Sequence, residues 1–265
     1  RDPLSGCRRL REGRTRAGLI RARTRACDWR GNSGLPAEVL RARGTLTLSF
    51  ANVDAFARFD PKRPYATRFI DEDFNRVWNA PTLDGPRDST ELRRARALRP
   101  FVEAADYLLD IHSMLEPSPP VMICGPLDKG IRFAFDVAIP KDIVSDEGHA
   151  NGTRMRDYAG FGDPGSPKNA LLVECGQHWA QGSVEVAIAT CRRFLEALEV
   201  VEPALLDDLC ALPVTSPQRM VEVTDAITVN GGPFRFTREL QGLEIVPEAG
   251  TVIAYDGATP IRTPY

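Results

Sequence analysis

Apolar and polar residues alternate cleanly for the first time at 45–50, where Leu46, Leu48 and Phe50 are separated by small or polar residues, so the first strand is expected there. Downstream, Asp88, Ser89, Thr90 and Glu91 make a capping-box-like start to a helix. That helix presents Leu92, Ala95, Leu98 and Val102 on one side, with Pro100 expected to kink it. Short apolar runs at 107–111, 121–124, 142–144 and 170–174 read as buried strands, and 129–138 reads as a helix between two of them. Ser183 is placed to cap a long helix carrying Val184, Ile188, Cys191, Leu195 and Leu198 on one face. Strands that alternate with helices predict an α/β domain with a largely parallel sheet.

Beyond about residue 205 the spacing shortens. Runs at 220–223, 227–229, 234–236 and 251–255, punctuated by Asn230-Gly231-Gly232 and Glu248-Ala249-Gly250, predict a small β-rich C-terminal domain. The division expected is therefore 1–43, an α/β domain at 44–205, and the β unit at 206–265, the last read as possibly truncated. The first 43 residues follow neither period and hold twelve Arg against Asp2, Glu12, Asp28 and Glu38. Composition alone makes that a solvated or disordered basic arm.

The whole chain of 265 residues is 43% hydrophobic, enough to bury a sizeable core. Its net charge of -2 gives no reason to expect nucleic acid as a partner. No apolar run approaches the roughly 18 residues that span a bilayer, and no apolar segment follows the opening arginines, so no membrane association and a cytoplasmic location are expected. Cys7, Cys27, Cys124, Cys175, Cys191 and Cys210 show no paired spacing and read as reduced thiols.

Three clusters can carry chemistry. Asp110-Ile111-His112-Ser113 puts a histidine at the end of an apolar strand, where open α/β sheets gather ligands, and Asp110 lies two residues earlier on the same side. His112 is either a structural histidine or a metal ligand, with Asp110 orienting it. Arg68 to Arg76 holds two arginines and Asn75 among Asp71, Glu72 and Asp73. It is either a salt-bridged surface loop or a carboxylate clamp, in which each charge-assisted contact contributes about 1.5–3 kcal/mol. Glu174, in Val173-Glu174-Cys175-Gly176, ends another apolar strand and is either an exposed strand-end carboxylate or a general base raised by burial.

The order Arg-x-x-Asp-x-Asp-x-Asn-Arg, Asp-x-His-Ser, Glu-x-Gly resembles the succinylglutamate desuccinylase and aspartoacylase family, over the chain from about Gly44 to Tyr265. The resemblance implies a three-layer α/β sandwich of the zinc carboxypeptidase type with a mostly parallel mixed sheet, plus a small β-rich C-terminal domain. It also implies a zinc-dependent hydrolase that removes an acyl group from an N-acyl amino acid or similar small carboxylate. Its residues would be His112 as zinc ligand, Glu174 as proton acceptor, and Arg68, Asn75 and Arg76 as holders of carboxylates or of the scissile carbonyl. Arg154 is assigned as a further substrate-binding arginine.

One stretch departs from the pattern. The family's first two zinc ligands come from His-Gly-Asn-Glu, and the nearest text here is Arg30-Gly31-Asn32-Ser33. A guanidinium stays protonated and has no lone pair for zinc, while catalytic zinc takes three protein ligands. His149 and His178 are the other histidines, read as a surface histidine and a loop histidine. The arginine-rich segment thus reads as aberrant or disordered, replacing the first βα unit, either through a shifted reading frame or by other degradation of the sequence. The alternative function is a metal-deficient relative that only binds a small carboxylate.

Overall fold

Most of the apolar runs become strands stitched into one sheet in the computed structural model, which describes residues 44–148, 151–201, 216–229 and 233–264. The reading of residues 1–43, including Arg30 and Ser33, lies outside the described residues, as do His149 and the Asn230-Gly231-Gly232 turn. The elements in order are α1 (Val53–Ala57), α2 (Ala80–Asp84), α3 (Thr90–Ala104), β1 (Tyr107–Met114), β2 (Val121–Ile123), α4 (Asp128–Val137), β3 (Asp142–Ser145), β4 (Asn169–Gln177), α5 (Gln181–Ala197), β5 (Arg219–Glu222), β6 (Phe234–Phe236), β7 (Val252–Asp256) and β8 (Thr259–Arg262).

Five strands form a mixed sheet in the order β1-β4-β2-β3-β5, parallel at every pairing except β2 with β4. Its faces bury separate cores, because alternate strand residues point to opposite sides. Leu108 and Ala170 face α3, joining Leu92, Ala95, Leu98, Val102, Phe74 and Trp78. Leu109, Leu171 and Val173 face α4 and α5, joining Phe133, Ala134, Val137 and Phe194. Helices on both faces make the three-layer sandwich. A separate antiparallel sheet, β6-β7-β8, follows.

Several elements differ from the sequence expectation. Residues 45–49 form no strand; Leu46 packs against the second core but Leu48 is 72% exposed, so period-two alternation does not lie on a sheet there. Helix α3 runs through Pro100. Ser89 caps it, its hydroxyl accepting from the Leu92 N–H at 3.0 Å, while Glu91 accepts from the Ile70 and Asp71 N–H groups. Helix α5 begins at Gln181, before Ser183, and its buried side includes Ala189 and Phe194 while Val184 is 56% exposed. Residues 227–229 are not a strand, and β5, read as part of the small β unit, pairs in parallel with β3 at the edge of the large sheet.

Candidate functional site

The register of two neighbouring strands brings the second and third motifs together. His112 on β1 lies directly opposite Glu174 on β4, and in parallel strands such partners point to the same face. Asp110, two residues before His112, shares that face. The His112 Nε2 atom is 2.9 Å from an Asp110 carboxylate oxygen, an ion pair when the ring is protonated. Asp110 Oδ1 and Glu174 Oε2 are buried without a hydrogen-bond partner among the described residues. Buried polar atoms are rarely left so, and a pair of them at the carboxyl end of a sheet marks a place where something binds.

Burial works against a charged His112, but Asp110, then Glu174 and Asp73, outweigh it and raise its pKa to about 9. Burial raises Glu174 above the usual carboxylate range, and His112 and Arg68 pull it partly back. Each of the two therefore holds the other in check.

The first motif is anchored from below. Phe74, Val77 and Trp78 are buried in the α3-side core, with Phe74 and Trp78 edge to face at 5.5 Å, so Asn75 and Arg76 between them are held at the surface of that core. Asp73 caps this turn, accepting from the Asn75 N–H, and its other oxygen takes Arg68 at 2.7 Å. The Asn75 carbonyl oxygen of the side chain accepts the Met155 N–H at 2.8 Å. Arg76 donates to the Asn75 backbone carbonyl at 2.8 Å and has no carboxylate within ion-pair distance among the described residues. Burial draws its pKa down, against the pull of Asp73. Such a guanidinium is short of an anion.

Arg76 opens on a polar cleft of about 450 Å³ formed with Glu72, Asp73, Asn79, Thr82 and Arg87, and with Asn151 and Gly152 from the facing loop. His112 and Glu174 do not line this cleft; Asp73 is the link, since its charge acts on both His112 and Arg76. Gly152, at φ +136°, lies so close that a Cβ would sit 2.4 Å from the Arg76 carbonyl oxygen. The backbone is drawn in further by the Trp78 N–H, which donates to Thr153 at 3.2 Å.

Arg154 is placed otherwise than the clamp needs. Its side chain is 2% exposed, pairs bidentately with Asp146 at 2.8 Å and meets Asp157 at 2.6 Å. Burial is outweighed by those carboxylates, which hold it charged. Next to it Arg156 donates to Asp157 and to the carbonyls of Cys124 and Ala170. This arginine pair ties the loop that carries Gly152 to the sheet.

Sequence reasoning missed the loop amides that Glu91 gathers, Asp73 as a link, the cleft residues Asn79, Thr82, Arg87 and Asn151, and the 2.6 Å contact between Ser113 Oγ and His178 Nδ1. A charged residue set directly before buried Leu92 was the one signal for Glu91. As for the zinc ion that the resemblance implies, among the described residues no group of three His, Cys, Asp or Glu side chains converges on a metal position. Arg30 and Ser33 offer no replacement for the missing ligands. The described residues supply His112 as a ligand but not the three that a catalytic zinc takes.

No protein-family model and no curated protein matches the chain. Solved structures do. The chain superimposes on succinylglutamate desuccinylase from Vibrio cholerae with a TM-score of 0.55 at 18% identity, over 83% of this chain and 64% of that one. Against a succinylglutamate desuccinylase/aspartoacylase from Rhodobacter sphaeroides the TM-score is 0.53 at 18% identity, over 82% and 65%. Against the product-bound ectoine utilization protein EutE from Ruegeria pomeroyi it is 0.52 at 15% identity, over 87% and 69%. The chain spans less than two thirds of the length of the two desuccinylase-type structures. No helix among the described residues is long and apolar enough to cross a membrane. The chain has the α/β fold of the succinylglutamate desuccinylase and aspartoacylase structures, in agreement with the resemblance carried by its motifs.

Proposed function

We propose that this chain binds a small acylated amino acid or related carboxylate at the carboxyl end of the sheet, in a site built for hydrolytic deacylation. The observation that carries the reading is the His112–Glu174 register pair, with Glu174 Oε2 buried and unpartnered among the described residues; the Arg76 cleft is linked to it through Asp73. Arg76 takes the ligand carboxylate, Arg68 and Asn75 flank it, and the scissile carbonyl lies towards Glu174. A buried carboxylate of raised pKa is suited to take the proton of an attacking water. The reaction balances simply: water adds its oxygen to the acyl carbon, Glu174 receives one proton, and that proton passes to the departing amine.

The zinc expected from the resemblance would take His112 as one ligand. Two further ligands are wanting among the described residues, so no step here is routed through the ion. That shortfall favours a second reading, in which the site holds the carboxylate without turning it over. The test is a hydrolysis assay of the purified chain on N-acetyl and N-succinyl amino acids, alongside its zinc content and Glu174→Gln. Turnover that falls by roughly 10²–10⁴-fold in Glu174→Gln supports deacylation. Binding without turnover, abolished in Arg76→Ala, supports the second reading. Turnover unchanged in Glu174→Gln contradicts the assignment of the base.

A further inference from the structure

A carboxylate with no solvent contact, and with no cation in ion-pair contact among the described residues, sits at the start of α3. Glu91 is 0% exposed, and its oxygens accept the Ile70 N–H at 2.7 Å, the Asp71 N–H at 3.0 Å and the Glu72 N–H at 3.4 Å. Asn52, the cap of α1, adds its side-chain amide at 3.1 Å. Burial would raise this acid, yet the bonds from Ile70, Asn52 and Asp71 bring its pKa below the ordinary value. Consecutive backbone N–H groups wrapped around an anion make a nest, here with the anion supplied by the protein itself.

The connection is made in both directions. Asp71 returns a carboxylate oxygen to the Thr90 N–H at 2.7 Å, and Glu72 accepts from Ser89 Oγ at 2.6 Å while pairing with Arg87 at 2.8 Å. Three successive loop residues are thereby locked to the first turn of a long, well-buried helix. Arg68 lies just before them, and Asp73, Asn75 and Arg76 just after. Glu91 itself touches neither the cleft nor the His112–Glu174 pair.

We propose that Glu91 is a positioning residue: its carboxylate fixes the 70–72 backbone so that Glu72, Asp73 and Arg76 face the cleft with one geometry. The proposal rests on the carboxylate-binding reading above. A carboxylate can accept at both oxygens, whereas a glutamine turns one of them into a donor aimed at N–H groups. A loop released in this way shifts the guanidinium it carries, and misplacement of about 1 Å in such a site costs up to roughly 100-fold.

Two variants and two readouts test it. Glu91→Gln breaks the nest; Asp71→Ala, at an exposed position, removes the returning bonds to Thr90 and leaves the helix core untouched. Affinity for N-acetylglutamate is measured by calorimetry, and amide exchange is followed at Ile70, Asp71 and Glu72. The expected result is faster exchange at these three amides in both variants, with affinity falling roughly 10- to 100-fold in Glu91→Gln and less in Asp71→Ala. If Glu91→Gln does not fold, Asp71→Ala alone decides through the same two readouts. Unchanged affinity in a folded variant whose three amides have lost protection overturns the proposal, as does unchanged protection. Failure of the wild-type chain to bind N-acetylglutamate or any other small carboxylate overturns the underlying reading instead, while the exchange data still report on the nest.

Discussion

Replacing Arg154 separates the two roles assigned to it. In Arg154→Ala, Asp146 loses its bidentate partner in a setting where that side chain is only 15% exposed. Removing one member of a buried ion pair costs about 3–5 kcal/mol, because the remaining charge is stranded. Asp157 keeps Arg156 at 2.6 Å, so only one carboxylate is stranded and the lower end, about 3 kcal/mol, applies here. For a chain of this size each kcal/mol moves Tm by about 2–4 °C, giving a fall on the order of 6–12 °C. Arg154→Lys should recover less than half, since one ammonium cannot reproduce the fork that meets both acids. Differential scanning calorimetry measures both variants against wild type. A Tm unchanged within about 2 °C, together with lost carboxylate binding, would refute the structural role and restore Arg154 to the substrate clamp.

Other outcomes follow from single contacts. Gly152→Ala adds a Cβ where the Arg76 carbonyl stands 2.4 Å away, at a positive φ, so N-acetylglutamate affinity should drop by calorimetry; unchanged affinity would mean that this close approach does not shape the cleft. Lys129 donates its ammonium to the carbonyls of Asp163, Ser166 and Lys168 at 2.6–2.9 Å, and Lys129→Met should speed amide exchange across 160–168. Phe194→Ala, which empties a fully buried site against Phe133, should cost about 3–5 kcal/mol in urea unfolding. Tyr158 is raised to about 12 by burial and by its 2.6 Å bond to Glu103. The folded state therefore holds this proton more tightly than the unfolded chain, and the stability involved is present below pH 10 and is lost as pH rises through about 12. Tyr158→Phe should flatten the decline of Tm across that window; an unchanged decline would assign it to other groups.

The strands at 107–111, 121–124, 142–144 and 170–174 were legible because strands buried on both faces leave unbroken apolar runs. The run at 45–50 alternates instead and makes no described strand, since alternation says nothing about whether a partner strand is present. Register was likewise invisible: His112 and Glu174 stand 62 positions apart in the chain, and only the β1–β4 ladder sets them side by side. Arg154 illustrates the general difficulty with charged residues. Its type suited a carboxylate ligand, but Asp146 and Asp157 already occupy the guanidinium. Glu91 was read as part of a cap because its position in the first turn is visible, whereas the three loop amides that it gathers are not.

The central claim is that the Arg76 cleft and the His112–Glu174 pair form one carboxylate-binding site. A crystal structure of the chain soaked with N-acetylglutamate tests it most directly. The expected result is a ligand carboxylate within hydrogen-bond distance of the Arg76 guanidinium and the acyl carbonyl directed at Glu174. Ligand bound away from both, or no ligand at concentrations that saturate binding in solution, would contradict the account.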